Sequence, residues 1–197
     1  MITLIDYGAG NLFSLKNAFC SLGFLAKTTR SKREIKRAKV LVLPGVGSFK
    51  KTIENLKSFG ILEVILKEVL EKKKPFLGIC LGLQIFFEES QEGDTKGLGI
   101  FKGKVKRFRG IITPHMGWNQ VKILKDSKIF RGIKDGEFFY FCHSYYAPLT
   151  PFTVGVTNYK VNFSSVILKE NILLTQFHPE KSQKAGLKFL KNFLKIC

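Results

Sequence analysis

Residues 75–82, Pro75-Phe76-Leu77-Gly78-Ile79-Cys80-Leu81-Gly82, set a short apolar run, a cysteine and two flanking glycines in one line. Pro75 to Ile79 reads as a strand and Leu81 to Glu88 as a helix, so Cys80 falls at a strand-to-helix junction. This is a cysteine form of the G-x-S-x-G elbow. A nucleophile on so tight a turn is thrust into open space, and small neighbours let the backbone bend that sharply. The positive N-terminal end of the following helix favours the reactive thiolate. A cysteine packed between two glycines purely for structure would look the same locally, so the rest of the chain must decide.

Upstream of the elbow, short β-rich runs alternate with helical patterns, the rhythm of a parallel sheet covered by helices. Met1 to Tyr7 reads as a strand. Asn11 to Leu22 reads as a helix with Leu12, Leu15, Ala18, Phe19 and Leu22 on one face. A strand follows near Phe24 to Thr29, and Val40 to Leu43 is a continuous apolar run ending in Pro44-Gly45-Val46-Gly47, as expected of a buried parallel strand leaving into a glycine-shaped loop. Helices fill Phe49 to Lys73. Beyond Gly97 the pattern turns to strands: Lys102 to Phe108, Trp118 to Ile123, Phe138 to Phe141, Phe152 to Val156, Ser165 to Leu168 and Ile172 to Phe177. Ser182 to Ile196, with Leu187, Leu190 and Leu194 at helical spacing, closes the fold as a helix. The expected architecture is an open, mostly parallel, doubly wound α/β sheet with helices on both faces and a strand-rich second half. With 197 residues, a single domain spanning 1–197 is expected.

Bulk properties narrow the classes. A 45% hydrophobic content argues against disorder, and the apolar runs are far shorter than the roughly 20 residues a membrane span needs. Met1 to Tyr7 enters a strand with no basic leader or small-residue cleavage site, so a cytoplasmic location is expected. Cys20, Cys80, Cys142 and Cys197 are scattered without a C-x-x-C pair, suggesting neither a zinc site nor a disulfide framework. The formal charge of +18 invites a nucleic-acid reading, but only six of the 33 basic residues are arginine and no nucleic-acid module surrounds the dispersed lysines. A lysine-rich surface attracted to an acidic protein partner is the simpler account.

A thiolate that attacks a carbonyl needs a base that can later protonate the leaving amine, and imidazole serves both purposes near neutral pH. His178, in Gln176-Phe177-His178-Pro179-Glu180-Lys181-Ser182, is the candidate. If this segment is extended, Glu180 projects to the same side and can fix the imidazole's tautomer, with Pro179 stiffening the spacing. Oxyanion donors can come from the backbone N–H of Leu81, at the helix start, and from the glycine loop around Val46 and Gly47. An isolated H-x-E is ordinarily structural; an elbow cysteine in the same chain reverses that balance.

GICLGLQ (Gly78 to Gln84) together with QFHPEKS (Gln176 to Ser182) resembles the class I, or triad, glutamine amidotransferases. Within them the chain is similar to the glutaminase subunits of imidazole glycerol phosphate synthase, through DYGAGNL (Asp6 to Leu12), PGVGSF (Pro44 to Phe49), PHMGWN (Pro114 to Asn119) and YFCHSYY (Tyr140 to Tyr146). The resemblance implies Cys80 as nucleophile, His178 as acid/base and Glu180 as its orienting carboxylate. It implies that Gln84 contacts the amino-acid end of glutamine with the Ser144, Tyr145 and Tyr146 segment. The loop at Val46 and Gly47 would supply an oxyanion donor after a peptide rearrangement triggered by a partner. Asn11, His115, Met116, Trp118 and Asn119 would lie toward that partner and an ammonia passage. Cys142, without an elbow around it, is read as a core residue. The implied partner is a separate (β/α)₈-barrel cyclase, which a chain of this length cannot also contain, giving a heterodimer that needs no metal or organic cofactor.

Three other readings fit parts of the sequence. Related glutaminase subunits supply ammonia to sugar-amidating enzymes of surface glycan synthesis. Cysteine peptidases with a similar elbow often place His directly after the nucleophile, where Leu81 stands here. A nucleic-acid binder rests on charge alone.

Overall fold

The structure, a computed structural model, describes residues 1–196; Cys197 lies outside the described residues. The chain runs β1 (Ile2–Ile5), α1 (Leu12–Ser21), β2 (Ala26–Thr29), α2 (Lys32–Arg37), β3 (Val40–Leu43), α3 (Phe49–Ser58) and α4 (Leu62–Leu66), which continues into a π-helical turn at Lys67–Glu71. β4 (Phe76–Ile79) and α5 (Leu81–Gln84) carry the elbow, followed by β5 (Phe87–Ser90), β6 (Thr95–Lys96), β7 (Phe101–Arg107), β8 (His115–Ile123), β9 (Glu137–His143) and β10 (Tyr145–Tyr146). β11 (Thr153–Tyr159), β12 (Val161–Lys169), β13 (Ile172–Thr175) and α6 (Gln183–Ile196) complete it.

Nine strands form one sheet in the order β2-β1-β3-β4-β13-β12-β11-β8-β9. The sheet is mixed: the four pairings from β2 to β13 are parallel and the four from β13 to β9 antiparallel. A smaller sheet, β10-β7-β5-β6, stands beside it.

Strand alternation assigns the two faces. Ile5, Leu41, Leu43, Phe76, Ile172 and Leu174 point into one core with Ile53 and Leu56 of α3 and Ile65 of α4. Ile2, Leu4, Val42, Leu77 and Leu173 point into the other with Leu15 and Phe19 of α1 and Phe189, Leu190 and Phe193 of α6. Because the inner parallel strands β1, β3, β4 and β13 are covered on both sides, nearly every residue in them is apolar, whereas the edge strand β2 is mostly polar.

One buried charge anchors the helical layer. Glu68, in the π-helical turn, is 1% exposed and bridges Lys72 and Lys74 at 2.7 Å each. Lys74 also donates to the carbonyls of Ile35 and Lys36, tying α2 to this turn.

The segment expected to be helical from Leu81 to Glu88 is helical only to Gln84 and turns into a strand at Phe87. The carbonyls of Ile85, Phe86 and Phe87 are captured by the N–H groups of residues 98–101, at 2.8–3.1 Å, instead of by the next helical turn. Phe86 and Phe87 are both fully buried, so the apolar run carried no helical face to distinguish.

Candidate active site

β4 is buried at every residue and ends at Cys80, whose φ of 53° lies in the left-handed region that side chains rarely adopt. Gly78 must be glycine: a Cβ there would sit 2.5 Å from the carbonyl oxygen of Gly82 and 2.7 Å from Leu174. Gly45, from the loop after β3, presses its backbone on the elbow, where a Cβ would meet the Leu81 nitrogen at 2.4 Å. The elbow and the glycine loop are therefore held in direct backbone contact. The helix that follows is a single turn, with Leu81 at its first position, ahead of any intrahelical hydrogen-bond partner.

β13 lies beside β4 in parallel register, Ile79 opposite Thr175, and the Cys80 N–H donates to the Thr175 carbonyl at 2.6 Å. The chain leaves β13 through Gln176 and Phe177 and arrives at His178, more than ninety residues from Cys80 in sequence and on the same cavity. The backbone of His178 is tethered to β9. Its N–H donates to the Tyr140 carbonyl, and its carbonyl accepts from the Ser182 hydroxyl, which in turn accepts from the Tyr140 N–H.

Glu180 reaches His178, though not along an extended strand as expected. Pro179–Lys181 forms a 3₁₀ turn with proline at its start, and the turn folds the carboxylate back so that Oε1 lies 2.9 Å from His178 Nδ1. Both side chains are 4% exposed. Burial alone would push the imidazole pKa down, but the charge and hydrogen bond of Cys80, joined by those of Glu180, lift it to about 10. Nδ1–H donating to Glu180 leaves Nε2 for Cys80, and the three groups can act as nucleophile, proton carrier and orienting anion in acyl transfer.

The cavity has a volume of about 300 Å³ and is lined by Val46, Gly47, Leu81, Gln84, Ser144 and Tyr145 besides Cys80 and His178. It is large enough for a small amino acid. Gln84 is 4% exposed, and its Nε2 donates to the Tyr145 carbonyl at 2.7 Å and to Gln176 Oε1 at 3.0 Å. Tyr146 lies away from this cavity, its ring stacked on Phe108 at 4.7 Å. Cys142 is half-buried and lines the cavity, with its carbonyl 3.8 Å from Cys80 Sγ; the expectation of a core residue is corrected, because β9 ends at the pocket rim. The Val46 N–H is turned to the Tyr7 hydroxyl at 3.2 Å, and that hydroxyl donates back to the Val46 carbonyl at 3.1 Å. In this conformation Tyr7, and not the cavity, holds the Val46 donor.

Of the residues expected toward a partner, Met116 and Trp118 are 61% and 45% exposed on β8. His115 is buried. Its Nδ1 meets His143 Nε2 at 3.0 Å, and Asn119 reaches its Nε2 at 3.2 Å. Asn11 caps α1, accepting from the Ser14 N–H. Tyr7, His143 and Gln176 were not singled out by sequence reasoning although all three stand inside quoted motifs; nothing local separates a motif residue that bonds the site from one that packs. Among the described residues no cluster of three or more His, Cys, Asp or Glu side chains could hold a metal ion, and no helix is long and apolar enough to cross a membrane.

Residues 3–197 match the model of the glutamine amidotransferase class-I family. The chain belongs to the class I glutamine amidotransferases. Among its amidotransferase relatives, it is 49% identical to "Imidazole glycerol phosphate synthase subunit HisH" of Caldanaerobacter subterraneus subsp. tengcongensis, over 98% of this chain and 97% of that protein. It is 47% identical to the protein of the same name from Methanocaldococcus jannaschii, with both chains fully covered. Subunit HisH 1 of Campylobacter jejuni is 44% identical over the full length of both. The amidotransferase fold is shared with a solved glutamine amidotransferase at a TM-score of 0.78 and 18% identity, covering 100% of this chain and 98% of the other. A chain of the PurLQS structure from Thermotoga maritima follows at 0.74 and 16%, covering 98% and 97%. At those identities the solved structures speak for the fold alone.

Proposed function

We propose that this chain is the glutaminase subunit of imidazole glycerol phosphate synthase, a single amidotransferase domain that hydrolyses glutamine and passes ammonia to a separate (β/α)₈ cyclase in the cytoplasm. The observation that carries the reading is the meeting of Cys80 and His178 on one small cavity, with Glu180 bonded to His178 from behind. Near full-length relatives carrying the synthase name favour it over a sugar-amidating destination.

In this reading the Cys80 thiolate attacks the side-chain amide carbonyl of glutamine, whose amino-acid end lies at Gln84, Ser144 and Tyr145. Backbone N–H groups of Leu81 and of the Val46–Gly47 loop receive the oxyanion, the latter once the Val46 peptide has turned from Tyr7. The C–N bond breaks as His178 delivers its proton to the departing ammonia, leaving a glutamyl thioester. His178, held by Glu180, then takes a proton from water; hydroxide attacks the thioester, glutamate leaves and the thiolate returns.

Ammonia set free in water is mostly protonated and unreactive, so an internal route to the partner is needed. The exposed Met116 and Trp118 on β8, with His115 and Asn119 behind them, support this face as the docking surface, to which the family resemblance also assigns Asn11. The +18 charge favours a partner with an acidic face.

The test is glutamine hydrolysis by wild type and Cys80→Ala, with and without the cognate cyclase and its nucleotide substrate. Activity is expected chiefly in the wild-type complex, while the mutant complex still makes product from added ammonium salt. Failure with ammonia would remove the division of labour, and failure to restore histidine synthesis to a strain lacking this protein would remove the pathway.

A further inference from the structure

Gln176 is fully buried, and its amide nitrogen lies 3.5 Å from Cys80 Sγ although the two residues are 96 positions apart. A buried amide is costly unless its polar atoms are paired, so the partners of both ends matter.

The orientation of this amide is fixed by its neighbour. Gln84 Nε2 carries two hydrogens: one goes to the Tyr145 carbonyl and the other to Gln176 Oε1 at 3.0 Å. Were the Gln176 amide reversed, its NH₂ would face the NH₂ of Gln84 and its oxygen would face the sulfur. The observed arrangement therefore commits Gln176 to donate toward Cys80.

The sulfur has a second polar neighbour with the opposite preference. The Cys142 carbonyl, 3.8 Å away, can only accept and so suits the protonated thiol. The Gln176 amide can only donate from this end and so suits the thiolate, and a donor to an ionised acceptor is roughly twice as strong as a neutral pair. The two contacts flank one atom and compete for its charge state.

We propose that Gln176 is a further catalytic residue of this site, donating its side-chain N–H to the Cys80 sulfur and holding it as the attacking thiolate. The inference rests on the reading of Cys80 as nucleophile. It adds a neutral donor to the charge supplied by His178, and it makes Gln84 the positioning residue for that donor. During thioester formation the sulfur's charge passes into the new S–C bond and the Gln176 bond weakens; it strengthens again when glutamate leaves and the thiolate is restored, so the donor favours that departure.

The experiment uses Gln176→Met, unbranched and of similar length but without N–H, and Gln176→Leu as a second apolar replacement, each checked for a cooperative thermal transition. Alkylation by iodoacetamide near neutral pH is followed peptide by peptide, with the exposed Cys20 as internal reference. Cys80 modification relative to Cys20 is expected to slow about tenfold or more in both variants. In complex with the cyclase, kcat for glutamine falls in parallel while KM stays within about threefold, since the donor acts on the sulfur. Folded variants that alkylate at the wild-type rate would overturn the proposal. A wild-type complex whose Cys80 alkylates readily but which releases no ammonia from glutamine would instead overturn the glutaminase reading, with the role of Gln176 still decided by the alkylation ratio.

Discussion

His178 and Glu180 meet at 2.9 Å because a one-turn 3₁₀ segment bends the chain between them, not because they share a strand face. Among the described residues the carboxylate has no other hydrogen-bond partner: Oε2 is buried and unpaired. Glu180→Gln keeps the shape and removes the charge that sustains the imidazolium, so kcat for glutamine in the cyclase complex should fall about 10²- to 10⁴-fold with little change in KM. Steady-state assays settle it; a loss below about threefold would sever the carboxylate from catalysis.

Tyr7 engages both polar groups of Val46 through one buried hydroxyl, whose pKa burial raises to about 12. If the Val46 N–H must face the cavity to receive an oxyanion, this hydroxyl opposes the turn. Tyr7→Phe should raise glutamine turnover of the isolated protein several-fold and shrink the stimulation given by the partner, because each net hydrogen bond is worth about 0.5–1.5 kcal/mol. Unchanged partner-free turnover would show the Tyr7 contact to be a passive one.

The His115–His143 pair should make the fold acid-sensitive in a defined window. Burial depresses His115 to about 4; burial, aided by the nearby charges of His115 and His178 against a hydrogen bond to Tyr145, depresses His143 to about 3. Well above pH 6.5 both are neutral whether folded or unfolded. Below it the unfolded chain gains protons that the folded one refuses, so stability falls as pH drops, by about 1.4 kcal/mol per unit for each histidine. Urea titrations between pH 6.5 and 5 should reveal this slope, and His143→Phe should roughly halve it. The window sits above that of the carboxylates Asp6 and Glu68, whose pKa values are lowered.

Glu68 is buried, and the desolvation that would raise its pKa is outweighed by hydrogen bonds and charge from Lys72 and Lys74. Lys74→Met removes the more buried of these cations and strands the carboxylate, at a cost of about 3–5 kcal/mol. The double variant Glu68→Leu, Lys74→Met should recover most of that loss. Urea midpoints of the two proteins compare directly; equal midpoints would mean the pair is not coupled.

Much of this molecule is legible in its sequence, for reasons that can be located. Most of the parallel half is written as doubly buried runs, such as Val40 to Leu43, which ends in a loop where a Cβ at Gly45 would strike the elbow backbone. The elbow is legible because Gly78 and Gly82 have no alternative there. The turn into β5 is not legible, since Leu81 to Phe87 is buried throughout and periodicity disappears when every side is covered. α2 is illegible for the opposite reason: Ile35 is its one buried residue, too few to make a stripe. Within the site, Cys80, His178 and Glu180 stand out by their chemistry, whereas the hydroxyl of Tyr7 and the amide of Gln176 acquire meaning only from what lies opposite them.

If Cys80 and His178 are the reacting pair, the position of β13 governs when this protein becomes reactive. It is the last strand of the sheet to leave the ribosome, yet its place is central, between β4 and β12. Until residues 172–180 have been made, β4 has only β3 beside it and the thiol lacks its imidazole. On the proposed reading, a product that ends before residue 178 carries the thiol without its imidazole and does not hydrolyse glutamine.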